Sequence, residues 1–204
     1  MTPSAITLHT YAPPPICQRE ILRYMGEKTP TSEVQALLDS CIREAEGVLS
    51  YRVCERVYPI AWHEDELDLG FARVQSQDLR RALKGCDRVA VFAATVGLGI
   101  DRLIARYSRL SPSRALCLQA LGSERVEALC DAFCQELADR AQVVGDCIGR
   151  RFSPGYGDLP LSMQREVFAA LDCTKRLGII LQESLLMIPG KSVTAIVGVG
   201  KEQS

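Results

Sequence analysis

Between Arg88 and Thr95 the chain reads Val-Ala-Val-Phe-Ala-Ala without a polar residue, then empties into Val96-Gly97-Leu98-Gly99. A run this short and this rich in valine, closed by glycines, is an apolar strand rather than a helix. Its neighbours in the sequence alternate in type. A helix is expected from Ile100 to about Tyr107, and Ser111-Pro112-Ser113 restarts a helical region that runs to roughly Val144, with a break at Gly122. Upstream, Thr31-Ser32-Glu33 opens a helix in which Val34, Leu37, Leu38, Cys41 and Ile42 recur at helical spacing as far as Leu49. The runs Tyr51 to Trp62 and Leu67 to Val74, either side of His63-Glu64-Asp65, read as a hairpin, and Ser76 to Lys84 as a short helix. Met163, Val167, Phe168 and Leu171 mark another helix, and Ser192 to Val199 is a β-prone run entered through Pro189-Gly190, a type II turn pair. Residues 1–30, with Pro13-Pro14-Pro15, suit an extended N-terminal arm carrying a short apolar run from Ile21 to Met25. Strands and helices mix without strict β-α-β alternation. The expected class is therefore α+β, one domain over 1–204 with a largely antiparallel twisted sheet packed by helices.

The 204 residues are enough to bury a sizeable core, and 47% apolar with 24% charged composition is that of a folded globule. With 24 basic against 25 acidic residues the chain has no broad positive field, which argues against nucleic acid as a partner. The apolar stretches Val89 to Ile100 and Leu177 to Ile188 are too short or too interrupted to span a bilayer, and no export signal opens the chain, so a cytoplasmic location is expected. Nine dispersed cysteines, with Cys130 and Cys134 the closest pair at helical spacing, read as reduced apolar thiols rather than as disulfides or metal ligands.

Few motifs carry chemistry. Val96-Gly97-Leu98-Gly99-Ile100-Asp101 lacks both the G-x-G-x-x-G spacing and the G-K-[ST] ending of phosphate loops, His9 and His63 lie in no ligand or nucleophile motif, and no G-x-S-x-G occurs. In the long helix, Val126, Leu129, Cys130, Phe133 and Leu137 make one apolar stripe, with Asp131 on its shoulder beside Gln135. There it is either solvated or turned sideways into a cleft. The segment from Arg151 to Asp158 combines a fixed cation, a Pro-Gly bend, an aromatic hydroxyl and a carboxylate. Arginine holds a carboxylate by paired charge-assisted bonds, Pro154 pre-sets the chain direction, Gly155 permits close backbone approach, and Tyr156 can cover a base or a cation. By composition alone the same segment also suits a surface turn.

Arg151-Phe152-Ser153-Pro154-Gly155-Tyr156 is similar to the R-x-x-P-G-Y signature with which the reactivation domain of cobalamin-dependent methionine synthase binds S-adenosylmethionine. The stretch Leu181 to Val193 resembles that family's L-T-E-S-x-x-M-x-P-G-x-S-V segment, and Phe92 to Gly97 and the helix around Glu127 to Phe133 also resemble it, so the likeness spans 87–199. The resemblance implies an activation domain-like fold. It also implies that Arg151 holds the carboxylate of S-adenosylmethionine, that the backbone of Ser153, Pro154 and Gly155 lines its adenosine and methionine parts, and that Tyr156 closes the pocket. Asp131 would stand near the ligand, and Glu183 would contact it or brace the turn. No catalytic residue and no metal ligand is implied.

Cobalamin would be carried by a partner, a corrinoid-binding methionine synthase or related methyltransferase chain, with a flavodoxin-like or ferredoxin-like electron donor. The chain would then be a free-standing subunit of a methyltransferase system in methionine biosynthesis rather than a complete enzyme. It would cap the corrin while cob(II)alamin is reductively methylated. The alternative is an interaction module that has lost S-adenosylmethionine. Two departures stand out. Ser192-Val193-Thr194-Ala195-Ile196-Val197-Gly198 replaces the family's S-V-S-G, aromatic and S-H-P stretch, and the N-terminal third shows no match to the family's acidic ligand residue.

Overall fold

The computed structural model describes residues 2–201. The chain opens with strand β1 (Thr7–Thr10) and helices α1 (Gln18–Met25) and α2 (Ser32–Glu46), then β2 (Arg52–Pro59) and three two-residue strands, β3 (Ala61–Trp62), β4 (Leu67–Asp68) and β5 (Arg73–Val74). Helix α3 (Gln77–Ala82) leads into β6 (Arg88–Thr95), followed by α4 (Gly99–Leu110), α5 (Pro112–Val143) and β7 (Cys147–Ile148). A 3₁₀ turn at Leu161–Met163 enters α6 (Gln164–Leu171). Then come α7 (Cys173–Leu177), β8 (Ile180–Leu181), β9 (Met187–Ile188) and β10 (Ser192–Gly200).

The main sheet has the order β1-β2-β6-β10-β7, antiparallel at every step, with β6 at its centre. Ala90, Phe92 and Ala94 of β6 face a core shared with α1, α2 and α5, while Val89, Val91 and Ala93 face a second core beneath α3, α6 and α7. Both faces are covered, which is why this strand is continuously apolar instead of alternating. Phe92 meets Phe133 of α5 with ring centroids 4.6 Å apart. The reading of the cysteines as buried thiols holds for Cys41, Cys54, Cys117, Cys130 and Cys173, whereas Cys17 and Cys147 are exposed. No helix among the described residues is long and apolar enough to cross a membrane.

The mixed α+β class with an antiparallel sheet is as expected, but four local readings differ. The N-terminal stretch is extended only in part. It adds β1 to the sheet edge and packs α1 on α5, with Ile21 fully buried. The fully buried Arg125 of α5 holds it there, donating to the carbonyls of Pro14 at 2.6 Å and Pro15 at 2.8 Å, while the Cys17 amide donates to Glu124.

The expected hairpin forms only at its tip, where β3 pairs with β4 across the His63-Glu64-Asp65 turn. β2 pairs with β6, and β3, β4 and β5 make a separate small sheet, because the buried face of β2 finds its match in the central strand. Helix α5 is unbroken at Gly122, where a Cβ would sit 3.0 Å from the Lys191 stem and 3.2 Å from Ile100. This glycine makes room for neighbours rather than a kink. The Ile188–Pro189 peptide is cis, and Gly190 lacks the positive φ that a type II turn needs.

Candidate functional site

After β7 the chain continues along β10 as an edge: Gly149 donates to the Gly198 carbonyl, and Phe152 exchanges two backbone bonds with Ile196 at 2.9 and 2.8 Å. Phe152 packs against the core beneath α6. Extended backbone alternates its side chains, so Arg151 turns the other way, toward α5. There its Nη2 lies 3.0 Å from Glu127 and 2.8 Å from Asp131.

The following bend is fixed locally. The Tyr156 amide donates to Ser153, the Gly155 amide donates to Leu159, and Gly155 takes φ +92°, where a Cβ would also stand 3.2 Å from Leu161. Asp158 anchors the far end: it accepts from Ser76 Oγ and from the Gln77 amide at 2.7 Å, and so caps α3. The hydrogen bond from Ser76, with the Gln77 and Asp78 amides behind it, holds the Asp158 carboxyl below the ordinary carboxylate range.

These elements enclose a cleft of about 770 Å³. Arg151, Ser153, Pro154 and Tyr156 form one side, and Glu127 and Cys134 of α5 form another. Gln164 of α6, Met187 of β9 and Ser192–Thr194 of β10 complete it. The volume suits a drug-sized or cofactor-sized molecule. Two buried polar atoms in its walls, Gln164 Oε1 and Thr194 Oγ1, have no hydrogen-bond partner among the described residues. Burial pushes the Cys134 thiol up to about 11, so it presents a neutral, soft surface at neutral pH.

Glu127 also borders two smaller hollows. One of about 550 Å³ holds Glu20, Glu124 and Asp131, and another of about 360 Å³ holds Ser123 and Lys191. Lys191 donates to Ser123 at 2.9 Å, and burial pulls its ammonium below the usual lysine range.

The sequence-based candidates are placed unevenly. Arg151, Ser153, Pro154 and Tyr156 line the cleft, and Tyr156 stands at its rim with 68% of its surface exposed. Gly155 shapes the bend behind the wall without lining it. Asp131 bonds Arg151 but belongs to the neighbouring hollow, with its side chain 73% exposed. Glu183 sits exposed at the tip of the β8–β9 hairpin and borders none of the three hollows.

Glu127, Gln164 and Thr194 were not foreseen. Glu127 carried a legible signal, since it lies one turn before Asp131 on the same helix. Gln164 and Thr194 had none, because only the packed structure leaves their polar atoms unmet. The histidines lie elsewhere: His9 bonds Glu55 at 2.9 Å and His63 is exposed in the β3–β4 turn. Gly97 and Gly99 permit close packing, since a Cβ would stand 2.5 Å from Ser50 Oγ or 2.2 Å from the Val48 carbonyl.

The family model described as vitamin B12 dependent methionine synthase, activation domain, matches residues 77–204. Among solved structures, this chain is similar to a crystal structure of the MetH reactivation domain bound to AdoHcy, with TM-score 0.69 and 15% identity over 98% of this chain and 80% of that one. No curated protein matches by sequence.

Proposed function

Because the chain belongs to the activation-domain family of vitamin B12-dependent methionine synthase, we propose that it binds S-adenosylmethionine in the Arg151 cleft and caps the corrin of a separate cobalamin-carrying chain. The observation that carries this reading is the charge pattern at Arg151: one guanidinium against two carboxylates, at the wall of a cleft that also holds unmet buried polar atoms. The ligand's amino-acid end is a carboxylate beside an ammonium. Arg151 takes the carboxylate in paired bonds, and Glu127 takes the ammonium.

Arg151, Glu127 and Asp131 together carry one net negative charge. S-adenosylmethionine, with its sulfonium, carries one net positive charge, so the site favours it over the neutral thioether left after methyl loss. The backbone of Ser153 and Pro154 flanks the nucleoside, Gly155 shapes the bend behind them, and Tyr156 closes the rim. Glu183, exposed far out on its hairpin, takes no part in holding the ligand in this reading.

S-adenosylmethionine supplies the methyl group and an electron donor of flavodoxin or ferredoxin type supplies one electron in the reactivation. The chain's own work is positioning: it holds the methyl donor in line with the partner's cobalt and shields the pair from water. No proton moves, so no general base is required. The whole of 1–204 acts as one unit in this reading, supplying a cap to a methionine synthase or related methyltransferase chain.

Calorimetry with S-adenosylmethionine tests it first. Binding that Arg151→Ala weakens is the expected result, and no heat with the intact protein sinks the reading. A second assay mixes the chain with a corrinoid protein, a reductant and methyl-labelled S-adenosylmethionine. The chain accelerates label transfer to cobalt if the cap is real; equal rates with and without it remove the role, and docking without ligand binding identifies an interaction module.

A further inference from the structure

Gln164 opens α6 with its side chain in the wall of the Arg151 cleft, 7% exposed, and its Oε1 has no partner among the described residues. Thr194, 2% exposed on β10, adds to the same cleft a hydroxyl that is also unmet among the described residues. Buried polar atoms are almost always satisfied, so two in one cavity mark a wall built against a polar molecule. The two differ in what they can read. A hydroxyl adapts to donor or acceptor, whereas a carboxamide presents an acceptor and a donor side by side in a plane. One edge of adenine presents the complementary pair, the N6 amino donor beside the N7 acceptor, and glutamine bonds it in two-pronged fashion.

We propose that Gln164 selects the base of the bound nucleoside, with Oε1 accepting from the adenine N6 amino group and Nε2 donating to N7. The inference rests on the S-adenosylmethionine reading and adds to it the residue that sets base specificity. Arg151 and Gln164 lie in one cleft but on different elements, so the amino-acid end and the base are held independently. Hypoxanthine puts two acceptors, O6 and N7, on the same edge, and no orientation of a carboxamide satisfies both. The intact protein therefore prefers adenine.

The test is calorimetry of the full chain with S-adenosylhomocysteine and with S-inosylhomocysteine. Wild type favours the adenine compound by on the order of tenfold to a hundredfold, the discrimination expected of one two-pronged contact. Gln164→Met, close in shape and without the amide, brings the two affinities to within about threefold while its melting temperature stays near wild type. Arg151→Ala weakens both compounds alike and keeps the preference. Should the Met variant not fold, Gln164→Glu retains size and acceptor but loses the Nε2 donor, and weakens S-adenosylhomocysteine by about tenfold. A wild type without preference, or a preference that survives in Gln164→Met, overturns the assignment. Failure of wild type to bind either compound removes the S-adenosylmethionine reading itself and this inference with it.

Discussion

Arg151 shows how much one side chain inherits from its neighbours: Phe152, docked on Ile196, sets the strand phase that turns the guanidinium toward Glu127 and Asp131. Truncating it to alanine costs about 1.5–3 kcal/mol of ligand binding, the usual worth of a hydrogen bond to a charged group, measured by calorimetry. Glu127→Gln weakens binding more than Asp131→Asn, because Glu127 borders the cleft itself while Asp131 is mostly in water. Equal losses would mean that the ammonium lies between the two helix carboxylates.

The pattern around Arg151 was legible as a motif, and Glu127 could have been found from helical spacing. Gln164 and Thr194 could not, because a glutamine and a threonine are ordinary in any sequence and become significant only where packing strips them of water.

Among elements, α5 bears on both the N-terminal segment and the site. Arg125 and Glu124 form a fully buried ion pair that also binds the Pro14 and Pro15 carbonyls and the Cys17 amide. Arg125→Ala strands the Glu124 carboxylate and frees the strap, so urea unfolding should reveal a loss of about 3–5 kcal/mol; a loss below about 1 kcal/mol would show that water takes over the role.

Helices with local signals were readable, including α2 behind its Thr31 cap and α3 behind Ser76, since these depend on residues within one turn. The expected hairpin survives only at its β3–β4 tip, because most of its first run is claimed by a distant partner: β2 meets β6 across about thirty to forty residues, and a central strand buried on both faces outweighs the local turn. The N-terminal segment misled for the same reason, as its docking partner Arg125 lies more than a hundred residues away.

The whole molecule responds to acid through carboxylates held below their ordinary range: Glu44 by its bonds to Arg114, Asp146 by Lys201 and then Arg88, and Asp158 by Ser76. Groups lowered on folding stabilise the native state fully above the unfolded carboxylate range and lose that contribution as pH falls through their folded values. Thermal stability should therefore hold steady from neutral pH down and drop below about pH 4, followed by circular dichroism; a drop already at pH 6 would show that these carboxylates do not set the acid limit.

Ligand at a hundred times its dissociation constant adds about 2.7 kcal/mol to global stability, because it binds only the folded chain. That link to folding has a further consequence. β10, which contributes Ser192 to Thr194 to the cleft, sits between β6 and β7 in the sheet although it follows them both in the chain. During synthesis, a ribosome that has released everything up to residue 190 has already made Arg151, Glu127 and Gln164, yet the strand that brings them together is still in the exit tunnel. The cleft therefore cannot assemble until that strand has slotted between β6 and β7.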